Sequence, residues 1–230
     1  MSLTYLNLTN TVLRRINEVT ITSADFADVR NIQAVAKDSV NASIKEIISY
    51  VQQWPFMHST RTVTLVPGTQ EYNYTADTHV IDWDSFFLRK DDTLTPEVKS
   101  KKLDVLSLDQ YNRGYREDDE NSSVSDRGQP ELIYQTQANK FGVSPVPDRA
   151  YQIRHSYFSF PNPLVNHDDT TIIPDRFDFI IIEGALTHMM RFRSNEQAVQ
   201  FHVQKFRDGL EYMRRVLLDF PTEFVSRVVR

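Results

Sequence analysis

The sequence has no cysteine, few glycines and no long hydrophobic run, and each absence excludes a class of function. Without cysteine the chain has no disulfide, no thiolate zinc site and no cysteine nucleophile. Only 6 of its 230 residues are glycine, and none belongs to a Walker A or dinucleotide-binding loop. The longest apolar run, residues 179–182, is far shorter than the ~20 residues of a spanning helix. The first residues contain no signal-peptide pattern, so we expect a soluble, non-exported protein without membrane contact.

The negative charge is concentrated in the middle of the chain. The net charge is −5, but residues 77–131 contain 14 acidic and 8 basic side chains, which leaves the remainder close to neutral. Proteins that bind DNA phosphates usually present a basic stripe, and this sequence shows none. We therefore expect only weak, transient contact with DNA, a property that suits a wall past which DNA slides.

Helical periodicity marks both ends of the chain. Apolar residues recur at intervals of three and four, and a proline follows Trp54 where the second pattern stops. The spacing predicts four helices, over residues 6–18, 25–54, 174–192 and 196–219.

The middle of the chain shows the alternation and turn residues that are typical of short strands. Strands are predicted at residues 60–66, 71–74, 80–81, 86–89, 132–137, 140–143 and 150–159. A short helix or turn is predicted within residues 104–115, and the acidic, serine-containing segment 114–129 is predicted to be a mobile loop. So many short strands favour a small sandwich or barrel.

Together these patterns predict an α+β fold with a discontinuous α-helical bundle. Residues 1–57 and 172–219 are expected to form the bundle, and residues 58–171 an inserted β-rich domain resembling a sandwich or barrel. Residues 220–230 are expected to form an extended C-terminal tail, because Pro221 breaks the last helix.

The sequence gives little support for a catalytic activity. The six histidines are scattered, so core or interface positions are favoured over metal ligation. The acidic groups at residues 82–84, 91–92, 117–120 and 168–169 lie in polar, turn-like stretches and are interpreted as solvated charges. We therefore predict no catalytic residue, no metal ligand and no cofactor. The rival interpretation is a nuclease or cell-wall hydrolase that uses paired carboxylates, which requires them to converge in one pocket.

The order of several short blocks resembles the head-to-tail adaptor, or connector, proteins of tailed phages, a family that includes the tail tubular protein A of short-tailed phages. Residues 10–18 are similar to the family's opening helix, and residues 34–54 to its long second helix, which closes on a tryptophan. The later blocks are residues 128–130, 145–148, 157 and 173–185. The acidic segment 117–126 matches none of them.

This resemblance implies a structural virion protein without catalytic activity. It implies a ring, typically of twelve copies, that docks below the portal protein at the head–tail interface and leads DNA into the tail. The tail nozzle or tube protein is the implied partner on the other side, with tail fibres as a further candidate, and assembly takes place in the host cytoplasm. Another virion ring or plug protein, such as a head-completion or tail-terminator protein, is the alternative.

Two sets of residues follow as candidate contact sites. A ring needs a heterologous interface that closes, and apolar residues beside the main stripe of the third predicted helix are candidates for it: Phe179, Ile182, Met190 and Phe192. The C-terminal tail is too apolar for a free terminus and is predicted to bind the portal through Phe220, Phe224, Val225, Arg227, Val228, Val229 and Arg230.

Overall fold

The computed structural model describes residues 3–89, 100–121, 123–136 and 139–218, which divide into two compact units. The helical unit comprises the residues up to Met57 together with those from Pro161 onwards, and the β unit spans His58–Phe160.

Four α-helices form the helical unit, and side-chain caps define two of their starts. They are α1 (Tyr5–Arg15), α2 (Asn31–Tyr50), α5 (Asp178–Phe192) and α6 (Glu196–Leu217), with 3-10 turns at Pro55–Met57 and Asp175–Phe177. Thr4 accepts a hydrogen bond from the backbone N–H of Asn7 at the start of α1, and Asn195 accepts one from Ala198 at the start of α6. Helix α5 is central, because α1, α2 and α6 all pack against it.

Helix α2 is shorter at both ends than the periodicity predicts. It begins at Asn31 rather than near residue 25 or 28. Phe26 instead lies in the core ahead of the helix, buried edge-on against Tyr5 at 5.0 Å between ring centroids. It ends at Tyr50, and Trp54 turns back so that its Nε1 donates a hydrogen bond to the carbonyl of Ile47 at 2.9 Å.

The segment 161–171 bonds to the helical unit, although the sequence analysis grouped it with the insertion. The side chain of Asn41 on α2 donates to the carbonyl of Leu164 at 2.9 Å and accepts from the N–H of Leu164 at 3.0 Å. The N–H of Tyr5 donates to the carbonyl of Asp169 at 2.8 Å. These bonds satisfy backbone groups of a segment that has no strand or helix of its own.

The described residues of the β unit form two four-stranded sheets and two short helices. Its strands are β1 (His58–Thr64), β2 (Glu71–Asn73), β3 (Thr78–Arg89), β4 (Lys101–Lys102), β5 (Asp104–Leu106), β6 (Leu132–Gln135), β7 (Lys140–Ser144) and β8 (Gln152–Ser159); its helices are α3 (Leu108–Gly114) and α4 (Arg116–Glu120). The first sheet has the antiparallel order β1-β8-β3-β4. The second has the order β2-β7-β6-β5, in which only the β5–β6 pair is parallel.

One hydrophobic core lies between the two sheets. Phe86 on β3 and Phe141 on β7 meet at 5.2 Å between ring centroids, and His155 on β8 stacks on Phe86 at 4.6 Å. Val143 and Ile153 complete the same buried cluster from opposite sheets. The predicted α+β fold is confirmed, and within the described residues the β unit has the sandwich form rather than a closed barrel.

The prediction of a mobile loop over residues 114–129 is wrong for residues 116–120, which form α4. Gln70 donates a hydrogen bond from Nε2 to the carboxylate of Asp119 at 2.9 Å, which ties α4 to the β unit. Burial raises the pKa of Asp119. Asp119 is therefore a packed residue of the β unit, although its acidic neighbours Glu117 and Asp118 are exposed.

Candidate interaction surfaces of the helical unit

Helix α6 carries apolar side chains on two different sides. One row, which includes Phe206 and Met213, is buried against α5. A second row is exposed, with Phe201 57% and Tyr212 53% accessible. A helix turns once every 3.6 residues, so residues 201, 205, 208, 212 and 216 share one face. We call this face the outer stripe of α6, and its aromatic exposure marks it as a candidate contact surface.

Aromatic residues of the preceding segment border the outer stripe. The ring of Phe179 lies over the α6 backbone, since a Cβ built on Gly209 would stand 3.4 Å from its Cε2 atom. Tyr212 meets Phe177 edge-on at 6.1 Å between ring centroids. Phe179 is 42% exposed, so it extends the apolar surface from α6 onto the first turn of α5.

The outer stripe carries one charge of each sign between its aromatic ends. Lys205 places its Nζ 4.4 Å from the centroid of the Phe201 ring. Asp208 accepts a hydrogen bond from Gln204 Nε2 at 2.8 Å. The stripe therefore combines apolar area with defined polar positions, as protein interfaces do.

A groove of about 410 Å³ lies on the other side of α6, between α2, α5 and α6. Its lining residues are Glu46, Ser49, Tyr50, Thr187, Arg191, Val203, Phe206, Arg207 and Leu210. The α6 side chains form an apolar floor, and the charged residues stand at the rim. Tyr50 donates its hydroxyl hydrogen bond to Glu211, which fixes one wall of the groove.

A buried carboxylate on α5 links this helix to α1 and α6. Glu183 on α5 bonds Arg15 of α1 at 2.5 Å and Nδ1 of His202 on α6 at 2.7 Å. Buried charges are stable only when they are paired, and Glu183 has a partner on each side. His202 is thus a structural histidine, in agreement with the interpretation of the histidines as core or interface residues.

The residues predicted for a ring interface do not form one patch. Phe179 at the start of α5 and Phe192 at its end, 58% exposed, are separated by roughly 20 Å of helix. Met190 is half-exposed near Phe192. Ile182 is only 5% exposed and packs in the core of its own chain, so it is not part of an accessible surface.

The residues predicted to bind the portal lie outside the described part of the chain: Phe220, Phe224, Val225, Arg227, Val228, Val229 and Arg230. Conversely, the sequence analysis missed the outer stripe and the groove. The available signal for the stripe was a second apolar period on α6, in which Tyr212 follows Phe201 by 11 residues and Val216 follows Tyr212 by 4.

Two of the acidic groups considered for catalysis bind backbone N–H groups, and residues 91–92 lie outside the described part of the chain. Asp169 accepts hydrogen bonds from the N–H groups of Val165 and Asn166, both at 2.7 Å, and these bonds lower its pKa. Asp82 accepts one from the N–H of Asp84 at 3.2 Å. Nowhere in the described part of the chain do three or more histidine or carboxylate side chains converge so as to hold a metal ion.

Across residues 3–89, 100–121, 123–136 and 139–218, no helix has the length and apolar composition of a membrane span.

The family model of the SU10 adaptor protein matches residues 3–224, a range that includes both units. No curated protein matches the chain.

Proposed function

This chain belongs to the SU10 adaptor protein family, and we propose that it is the structural adaptor between the head and the tail of a phage virion. The observation that carries the proposal is the extent of the family match, which includes the helical ends and the β insertion alike. The role is one of assembly rather than catalysis. The portal on the head side and the nozzle or tube protein on the tail side are its partners.

The adaptor acts as a ring of identical copies, twelve in number, as in the family that the sequence resembles. A ring is built from heterologous contacts in which two different surfaces of the protein meet and the rotation closes. The exposed apolar residues of the helical unit, among them Phe179, Met190 and Phe192, support such contacts. DNA passes through the ring without being held, which agrees with the net charge of −5.

The C-terminal residues attach the ring to the portal. The described helix α6 ends at Leu217, and the sequence beyond it contains two phenylalanines, three valines and two arginines from Phe220 to Arg230. Such a segment gains free energy by burying its apolar groups on a partner, for example as a strand added to a sheet edge. Repetition around a ring makes even a weak contact firm through avidity.

Truncation after Asp219 tests the portal contact. The shortened chain should fold like the full chain, by circular dichroism and thermal unfolding, but should no longer join heads that contain the portal. Attachment at the level of the full chain would show that the tail has no docking role. A variant with only Arg227→Ala and Arg230→Ala separates the contribution of charge from that of apolar burial.

Symmetry analysis of images of the assembled particle tests the adaptor role itself. We expect a ring of this protein at the head–tail interface, in direct contact with the portal. A single copy, or a ring at the distal end of the tail tube, would refute the assignment, and the second result would favour a tail-terminator protein.

Binding to duplex DNA should be no tighter than the ~10⁻⁴ to 10⁻⁶ M of non-specific binding at physiological salt. A submicromolar Kd would contradict the proposal that DNA passes through the ring without being held.

A further inference from the structure

We propose that the outer stripe of α6 in one copy inserts into the groove between α2, α5 and α6 of the next copy. The inference rests on the proposed ring, and it assigns the two halves of the contact between neighbouring copies. Both surfaces belong to the helical unit and consist of described residues.

The positions of the two surfaces on α6 suit a ring. Successive residues of a helix are about 100° apart, so Val203 in the groove lies about 200° around the helix from Phe201 in the stripe. Leu210 and Tyr212 have the same relationship. One copy therefore presents the stripe on one side of α6 and the groove on the opposite side. Two different surfaces on opposite sides are what a heterologous, head-to-tail contact requires.

The shapes of the two surfaces are complementary. The stripe is convex and carries the exposed rings of Phe201 and Tyr212, whereas the groove is concave with an apolar floor of Val203, Phe206 and Leu210. Its volume of about 410 Å³ exceeds the ~150 Å³ of a protein cavity that accepts benzene. Aromatic side chains seated in apolar pockets provide much of the binding free energy of protein interfaces.

The charges are complementary as well. Arg191 and Arg207 at the groove rim have no ion pair among the described residues, and the stripe offers the carboxylate of Asp208. Glu46 stands at the same rim, and the stripe offers Lys205. Pairing of two stripes face to face would leave the groove, with its two arginines, unfilled. The charge pattern therefore favours stripe in groove over stripe on stripe.

A mixture of two variants, one with an altered stripe and one with an altered groove, distinguishes the stripe-in-groove contact from a stripe-on-stripe contact. The stripe variant carries Phe201→Asp and Tyr212→Asp, and the groove variant carries Ser49→Arg, which places a long cation at an exposed groove position. Each alone should remain monomeric by sedimentation equilibrium at concentrations where the wild type assembles. Their equimolar mixture should form 1:1 dimers and nothing larger, because only one intact stripe and one intact groove are available per pair. The control Val19→Asp, at a 75% exposed position that belongs to neither the stripe nor the groove lining, should assemble like the wild type.

A mixture that stays monomeric, or a groove variant that assembles normally, would overturn the inference. Because the chain has no cysteine, Phe201→Cys with Ser49→Cys adds a specific cross-link test in assembled particles. Disulfide-linked chains are expected there, and the pair Val19→Cys with Ser49→Cys should give none. Rings without the Phe201–Ser49 cross-link would disprove the stripe-in-groove contact alone. Absence of rings from both solution and particles would disprove the proposed ring, and the contact with it.

Discussion

The Ser43 hydroxyl on α2 stands against the backbone of Gly184 on α5, so closely that a Cβ on Gly184 would lie 2.2 Å from Ser43 Oγ. The same hydroxyl donates a hydrogen bond to the carbonyl of Ile181 at 2.9 Å. On the other side, Phe206 of α6 would stand 2.8 Å from that Cβ. Gly184 is therefore the point at which three helices meet.

Gly184→Ala should destabilise the helical unit by about 1–3 kcal/mol, the usual cost of overpacking a core. Urea unfolding of the variant and the wild type measures this difference in the free energy of unfolding. Gly114→Ala is the matched control, because a Cβ at Gly114 meets nothing within 4 Å. Adding Ser43→Ala to Gly184→Ala should restore part of the loss, and a Gly184→Ala variant as stable as the wild type would show that the helices can move apart at little cost.

His155→Phe should stabilise the β unit. His155 is buried in the sandwich core, and neither ring nitrogen has a hydrogen-bond partner among the described residues. Phenylalanine keeps the stacking on Phe86 and removes buried polar atoms, each of which costs about 1–3 kcal/mol when unsatisfied. Urea unfolding at pH 7, followed by the fluorescence of Trp83 in the same unit, measures the gain. The exposed His58→Phe serves as control and should change little.

The same histidine should make the β unit sensitive to acid. Burial lowers the pKa of His155 below its ordinary value of 6.5, so the unfolded chain binds a proton before the folded one does. Stability is then fully present above about pH 6.5 and decreases as the pH falls below it. His155→Phe should remove this decrease between pH 6.5 and 5, and an unchanged pH profile would contradict the prediction.

Asp178 should make the stability of the helical unit change with pH in the opposite direction, so that stability decreases as the pH rises. Burial raises the pKa of this carboxyl group at the start of α5 to about 6, so the folded chain holds a proton that the unfolded chain releases near pH 4. Stability from this group is greatest below pH 4 and decreases as the pH rises through 6. Asp178→Asn should therefore stabilise the protein at pH 7.5, on the order of 1 kcal/mol, and leave it unchanged at pH 4. Thermal unfolding at both values checks this, with the exposed Asp168→Asn as control.

Residues 58–160 should fold as an isolated fragment, because the buried cluster between the two sheets lies entirely within them. We expect a cooperative unfolding transition and dispersed amide resonances. The fragment 58–171 is the informative comparison. It should be no more stable, because Asn41 and Tyr5, which bond to residues 164 and 169, are missing from it. A fragment that is unfolded until residues 161–171 are added would move the domain boundary to 171.

Local patterns predicted most of the fold. The periodicity located α5 and α6 to within a few residues, and alternation located β1 and β8. The single strand β3 (Thr78–Arg89) was instead predicted as two short strands, at residues 80–81 and 86–89. The errors arose where contacts between distant residues decide the local structure. Phe26 packs on Tyr5 ahead of α2, which begins later than predicted, and Gln70 bonds to Asp119 in the helix α4 that was predicted as a loop. Strands β4 and β5, of two and three residues, were not predicted.

The contact surfaces were less predictable than the fold. Apolar spacing distinguishes neither Ile182, which is buried, from Phe179, which is exposed, nor the inner from the outer row of α6. The groove is formed by α2, α5 and α6, and about 150 residues separate Tyr50 from Val203 in the sequence. Its existence depends on packing between those helices, which no local pattern contains.

The first and last strands of the β unit are hydrogen-bonded neighbours, with His58 opposite Phe158 and Thr64 opposite Gln152. The chain therefore enters and leaves this unit at almost the same point. Because the two ends of the inserted unit are neighbours, recombination at these ends can delete the unit, lengthen it or exchange it for another. A short turn is then enough to reconnect the two parts of the helical unit. Relatives of this adaptor should accordingly differ most between the equivalents of residues 58 and 160.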